Sequence, residues 1–375
     1  MANKSDELID KNLLQSRVIP SLPENLKAPS TNKEDDYMTI YNAPATNTLT
    51  RTHTTGKDVS TDLITGRAQL NRGTVSIFID QYDDLLAGLR PSTHKLLDAL
   101  TRGLTEQNHY KTQDGLNLRV EIDLEDYMRL CGKNVTPSSK KNFRRELNKD
   151  LDILYNTSLK WEENIGRGRV QDYDETRIIS RKGIVKGKIG VTFTEELGRY
   201  FSKSYIMQYP SALFRLDNRN PIPYYLGRKL ALHYSMDNNR NKGTHNIISV
   251  KALLEHLEDT IPTYEEVMEE RNRNLRQHII EPLEKALEIL EKTGIIRWEY
   301  SNSKKTPLTD EQLLEMDYDT FIDLYIKFDL LKFPDQTERL TERNKEKDRR
   351  AKAKEKAKIE AQAKKEVEKE SRDDQ

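Results

Sequence analysis

An apolar strand pattern, a short amphipathic helix, a polar turn, a longer amphipathic helix and further strand patterns follow one another twice in this 375-residue chain. Few folds accommodate that order. In the first pass NLRVEIDL sets Leu118, Val120 and Ile122 on one face, the period of a half-buried strand. Asp123 is placed to cap the short helix LEDYMRLCG, which Gly132 ends. Thr136 then caps a longer helix in TPSSKKNFRRELNKDLDIL, with Pro137 in its first turn, where a missing backbone N–H costs nothing. Upstream, VSIFID (Val75 to Asp80) alternates as a strand, and Pro91 to Leu104 aligns Leu96, Leu97, Leu100 and Leu104 on one helical stripe. Downstream, SLKWEEN, then RIIS and KIGVTF around the turn RKGIVKG, are expected to be strands, the turn's glycines suiting a hairpin.

The second pass runs from Ile222 to Tyr300 and beyond. YYLGRKLALHYS reads as a helix, HNIISV as a strand and SVKALLEHL as a short helix. A long helix, TYEEVMEERNRNLRQHIIEPLEKALEILEKTG, follows, opened by a capping box of Thr263 and Glu266 and expected to kink at Pro282. The strand IIRWEYS, an acidic insertion TPLTDEQLLEMDYD and FIDLYIKF complete the set. Strand, short helix, turn, longer helix and then strands is the order of a winged helix-turn-helix, the strands supplying the wing. The expected fold class is α+β: two tandem winged helix-turn-helix domains, residues 73–215 and 216–334. Residues 1–72, rich in Thr, Asn, Pro and Ala without a sustained apolar period, are expected to be a disordered arm. Residues 335–375 are expected to be a charged tail, helical or disordered, because Leu340, Ile359 and Val367 make no stripe.

Several function classes are unsupported. The chain has no apolar run of 18 residues and begins with the polar MANKSDELIDKN, so a cytoplasmic protein without a membrane partner is expected. Cys131 is the single cysteine, which excludes a disulfide framework and reads as a buried structural thiol rather than a nucleophile. Gly56-Lys57, Gly132-Lys133 and Gly187-Lys188 are followed by Asp, Asn and Ile, so none completes a phosphate-binding loop. The seven histidines never recur at spacing two, three or four, which disfavours helical metal sites and the His-x-His site of nicking enzymes. Neither a metal, a cofactor nor an enzymatic activity is expected.

Charge placement is more informative. The chain is neutral in sum, with 62 basic and 62 acidic side chains, yet residues 85–215 carry 23 Lys and Arg against 17 Asp and Glu, and residues 216–337 carry 16 against 22. On the helix from Thr136, Phe143, Leu147, Leu151 and Leu154 form the apolar stripe. Ser138, Lys141, Arg144, Arg145, Asn148 and Lys149 fall on the other side, where Arg and Lys could reach guanine acceptors and Asn could pair with adenine. Glu146 is the one acidic residue between Lys133 and Lys149. The expected wing adds Arg181, Lys182, Lys186 and Lys188, candidates for phosphate or minor-groove contact. In the second set Leu275, Ile279, Leu283, Ala286 and Leu290 turn inward, leaving Arg271, Arg273, Asn274, Arg276 and Gln277 as candidate readers. A solvated helix face remains open for each of these groups, and protein contact for the second.

The tandem, carried by LRVEIDLEDYMRLCG…KKNFRRELNKDLDIL and NIISVKALLEHL…LEKALEILEKTGIIRWEY, resembles the plasmid replication initiators that bind repeated origin sequences. The resemblance spans about residues 73 to 333 and is one of architecture. It implies that both winged helices contact double-stranded DNA at an origin repeat, with Ser138–Lys149 and Arg271–Gln277 as the reading helices. It further implies monomers on the repeats, a homodimer that represses the initiator's own promoter, and recruitment of host replication proteins without nicking. A transcriptional or partition regulator of a mobile element, and a protein-interaction scaffold, are the alternatives.

Overall fold

A computed structural model describes residues 36–53, 59–62, 64–82, 88–108, 117–166, 169–236, 239, 242–269, 273–302, 306–308 and 317–333. Met1–Lys332 form one compact unit and Phe333–Gln375 another. The chain is mixed α/β with several small antiparallel sheets. The charged tail expected over 335–375 lies outside the described residues.

Order begins well before residue 73, which corrects the expectation of a disordered arm through residue 72. Strand β1 (Tyr37–Asn42) is almost wholly buried and pairs antiparallel with a strand more than 160 residues later, from Tyr37↔Pro210 to Asn42↔Tyr205. Helix α1 (Pro44–Leu49) and strands β2 (Ser60–Asp62) and β3 (Arg67–Arg72) follow. No local period marks β1, because its partner supplies the other half of its hydrogen bonds and its apolar cover from far along the chain. Strand β4 (Val75–Ile79) extends the β2–β3 hairpin.

The first half then matches the sequence pattern closely. Helix α2 (Pro91–Asn108) buries Leu96, Leu97, Leu100 and Leu104. Strand β5 (Arg119–Asp123) runs into α3 (Leu124–Leu130), where Asp123 accepts from the Glu125 and Asp126 amides, and Gly132 follows at a φ of 67°. Helix α4 (Pro137–Asn156) opens with Thr136 and Ser139 capping each other's backbone. One expectation fails here: SLKWEEN is not part of the wing. Strands β6 (Thr157–Gly166) and β7 (Arg169–Arg177) join the other sheet, ordered β2-β3-β4-β6-β7, with Val75 opposite Trp161. The hairpin expected around RKGIVKG is formed by β8 (Ile179–Val185) and β9 (Lys188–Phe193), and β9 lies between β5 and β8. Helix α5 (Glu195–Lys203), strand β10 (Tyr205–Pro210) and a 3-10 turn, Ser211–Arg215, lead into the second half.

There α6 (Ile222–Ser235), β11 (Ile247–Ser249) and α7 (Val250–His256) take the expected order. The long helix does not form as one piece. Helix α8 (Tyr264–Glu269) starts from the Thr263–Glu266 capping box, and a fresh helical start at Leu275 passes through a π turn, Arg276–Ile280, into α9 (Glu281–Lys292). The break therefore lies upstream of Pro282, which sits in the first turn of α9, where its missing donor is tolerated. Strand β12 (Ile296–Ser301), the short α10 (Tyr318–Ile322) and β13 (Tyr325–Leu330) follow; the segment read as FIDLYIKF is thus part helix, part strand. The sheet order β11-β13-β12 repeats that of β5-β9-β8, the last strand of each set lying in the middle.

The first helices of the two sets, α2 and α6, meet through buried polar groups. The Asp98 carboxylate, fully enclosed, accepts from Tyr224 Oη at 2.8 Å and pairs with Arg228 at 3.2 Å, while Arg228 also donates to Asn47 Oδ1 at 2.9 Å. Tyr225 Oη lies 3.1 Å from His94 Nδ1, and Lys95 Nζ donates to Leu216 O and Asn218 Oδ1, both at 2.6 Å. Arg72 of β3 pairs with Asp259 at 2.6 Å, both side chains 7% exposed. Buried charges are tolerated only when paired and hydrogen-bonded. Each of these pairs joins the two halves, so they pack as one body.

Candidate nucleic-acid interface

Helix α4 is amphipathic in the sense its sequence implies. Leu147, Asp150, Leu151, Ile153 and Leu154 are buried, and Ser138, Lys141, Arg144, Arg145, Asn148 and Lys149 are all exposed. The buried Asp150 carboxylate accepts from Arg90 Nε (3.0 Å), Ser92 Oγ (2.9 Å) and Thr93 Oγ1 (2.7 Å), which clamps α4 to the start of α2. On the outer face Glu146 pairs with Lys149 at 3.3 Å and Arg145 at 3.5 Å. Exposed pairs of this kind are weak and exchange readily for a phosphate.

The hairpin β8–β9 stands beside this face. Arg144 Nη2 donates to Ile184 O at 2.8 Å, tying the helix to β8 near the end of that strand. Val185 pairs with Lys188 across a two-residue loop in which Lys186 and Gly187 have φ of 49° and 78°, the type I′ geometry that matches strand twist. Arg181, Lys186 and Lys188 are exposed, with Lys188 3.7 Å from Glu121. Lys182 is placed otherwise: it is paired with Asp152 and its Nζ sits 4.9 Å above the Tyr155 ring, so it braces the hairpin against α4. Sequence position alone could not separate Lys182 from Arg181, since adjacent strand residues face opposite ways. Val185, 68% exposed at the tip, was not singled out by charge counting. Its signal was an apolar residue on the outward register of a Lys-Gly turn.

The second set of candidate readers is arranged differently. Arg271 lies outside the described residues. Arg273, Asn274, Arg276 and Gln277 are exposed, but they cluster at a helix start rather than along a helix face. Asn274 Oδ1 accepts from the Gln277 amide at 3.1 Å and Asn274 Nδ2 donates to Gln277 Oε1 at 3.4 Å, so both side chains serve as a cap. Arg276 is 4.0 Å from Glu281. Elsewhere in this half a cavity of about 470 Å³ is lined by Glu255, Glu258, Glu265, Asp319 and Asp323, by the single cation Lys251, and by Tyr264 and Tyr318. The first half thus offers a basic surface and the second a mixed one.

A cavity of about 640 Å³ beneath α4 is lined in part by Lys95, Tyr127, Cys131, Phe143 and Phe214. Burial pushes the Cys131 thiol up to about 11 and the Lys95 ammonium down to about 8. A thiol held in its protonated form is a poor nucleophile at neutral pH, which suits a structural Cys131. Among the described residues, no helix is long and apolar enough to cross a membrane.

The site is, in class, an exposed cationic helix joined to a cationic hairpin, chemistry suited to a polyanionic backbone. No family model and no curated protein matches the chain. It is similar to the selenomethionine crystal structure of domains 2 and 3 of RctB, with 14% identity and a TM-score of 0.37 over 73% of this chain and 92% of that one. It is also similar to RctB domains 2-3 (155–483), with 10% identity and a TM-score of 0.34 over 88% and 99%. Neither likeness bears on function; the residues of this chain do.

Proposed function

We propose that this protein is a non-enzymatic, sequence-specific binder of double-stranded DNA, built as two winged helix-turn-helix halves. Its role is to initiate replication of a plasmid or similar mobile element by binding origin repeats and recruiting host replication proteins in the cytoplasm. The observation that carries DNA binding is the joined surface of α4 and its wing. Six exposed polar residues face away from the core, Arg144 fixes the helix to Ile184, and Arg181, Lys186 and Lys188 extend the cationic face. A second helix at a strand–helix–helix–hairpin junction is the element that enters a major groove, and phosphate contacts from the flanking cations supply salt-dependent affinity. The resemblance to plasmid initiators supports the replication role and the homodimer that represses its own promoter.

One observation favours a second reading for the second half. The acidic ring around Tyr264 and Tyr318 would repel a phosphate backbone, so that side is better suited to a protein partner than to DNA. Footprinting the purified protein on the DNA upstream of its own gene, at several salt concentrations, tests the proposal. Protection of direct repeats that weakens steeply with salt is expected. Protection of one inverted repeat would favour a regulator, and no selective protection would leave only the scaffold.

A further inference from the structure

Helix α4 is held unevenly along its length. Leu147, Asp150, Leu151, Ile153 and Leu154 seat its second half, yet from Pro137 to Glu146 no side chain is fully buried. Beneath that first half lies the cavity of about 640 Å³, a size typical of sites for small organic ligands. Its floor is aromatic: Tyr127 meets Phe143 edge to face at 5.7 Å and Phe214 at 6.5 Å, and Met128 and Leu147 add apolar wall. The polar wall is unbalanced. Its three carboxylates are all engaged, Asp150 by Arg90, Ser92 and Thr93, Glu146 by Lys149 and Arg145, and Asp217 by Arg219 at 2.9 Å. Among the described residues Lys95 forms no ion pair, although it is only 2% exposed; two of its three donors go to the neutral oxygens of Leu216 and Asn218. An ammonium buried without a counter-ion is costly to keep charged, and burial accordingly pushes Lys95 down to about 8. Lys133 and Arg215 stand exposed at the mouth.

We infer that this cavity is a binding site for a small aromatic carboxylate, whose ring lies on the floor of Tyr127, Phe143 and Phe214 and whose carboxylate takes the remaining donor of Lys95. Rings arranged edge to face offer a flat guest both faces and edges to meet, and the ammonium supplies a charge-assisted hydrogen bond where water is largely excluded. The cations at the mouth draw an anion inward and disfavour a cation of the same shape. A guest seated there also fills the space that leaves the first half of α4 without buried contacts, so it braces the segment carrying Ser138, Lys141, Arg144 and Arg145. The site stands apart from the DNA-binding reading, and its test needs no duplex.

The full-length protein is titrated with naphthoate, with naphthamide as the neutral isostere and naphthylmethylammonium as the cation. Cys131, the single cysteine, lines the cavity, so its rate of alkylation by iodoacetamide reports occupancy. Naphthoate should bind with a Kd of roughly 10 to 300 μM and at saturation slow the alkylation about tenfold. Amide hydrogen exchange over residues 137–146 should slow with it. Naphthamide, lacking the charge, should bind about tenfold more weakly, and the cation should give no protection. Lys95→Met should bind acid and amide alike. Should that buried replacement unfold the protein, Asn142→Trp, which sets a bulky ring at the exposed mouth, should exclude both and slow the alkylation by itself. Alkylation unchanged by naphthoate, equal protection by acid, amide and cation, or an Asn142→Trp protein that binds naphthoate as wild type does would each overturn the site. Protection of Cys131 with unchanged exchange over residues 137–146 overturns the bracing of α4 alone.

Discussion

Arg145 and Lys182 show how much depends on the direction of a single side chain. Both are basic and both sit in the cationic first half, yet Arg145 is 72% exposed on the outer face of α4, whereas Lys182 is turned onto Asp152 and the Tyr155 ring. Replacing Arg145 with Ala should weaken binding to a selected duplex by about 1 to 3 kcal/mol, the scale of one lost base contact. Lys182→Ala should change that affinity by less than about 0.5 kcal/mol, as for a surface charge that makes no ligand contact. Titrating both variants by fluorescence anisotropy checks the contrast; equal losses would show that position along the chain, not orientation, matters. The candidate site was legible along α4 because helix periodicity sorts its faces. It was only half legible on the wing, where Lys182 and Arg181 are neighbours in sequence and opposites in the fold.

Among the elements, helices with strong local signals form where expected, and those that depend on distant packing do not. Thr136, Asp123 and Thr263 cap as their spacing implies, because a cap is decided within four residues. The single long helix expected from Thr263 instead restarts at Leu275 with Asn274 as its cap. Leu283, Ala286 and Leu290 of α9 are buried, and Leu290 meets α6 at Gly227, where space is tight. A Cβ there would stand 2.5 Å from Leu213 Cδ2 and 2.9 Å from Leu290 Cδ2. Gly227→Ala should therefore destabilise the protein by about 1 to 3 kcal/mol even though Ala is the better helix former. A lower urea midpoint with an unchanged slope would report that effect, and an unchanged or higher midpoint would show that α6 and α9 can separate slightly without cost.

For the molecule as a whole, zero net charge conceals two unlike halves held by buried polar contacts. His94 is fully buried at their junction, with Tyr225 on Nδ1 and no hydrogen-bond partner at Nε2. Burial, reinforced by His53 and Arg228, holds it well below its ordinary value of 6.5. In the unfolded chain the ring titrates normally, so the unfolded state binds the extra proton first. Stability is accordingly full above about pH 6.5 and falls as the pH drops from there toward the folded value, by up to about 1.4 kcal/mol per unit for this one group. Burial also lowers His53 and His233, and both add to the trend. Urea titrations between pH 7.5 and 5 should show the midpoint falling, with a shallower fall in His94→Gln; a midpoint that rises on acidification would contradict it.

Element order, the caps, the inward stripe of α4 and the contrast in charge between the halves are all local properties. They depend on residues within one or two turns of each other, so the linear chain determines them. Tertiary structure alone decided that Tyr37–Asn42 is a buried strand, that β6 leaves the wing for another sheet, and that the second long helix breaks before Pro282. It also decided that Arg181 faces outward from β8 while its neighbour Lys182 turns onto Asp152. Strand pairing between segments more than 160 residues apart and the close fit of α6 against α9 are stabilised by contacts between segments remote in sequence, and no local pattern encodes such a partner.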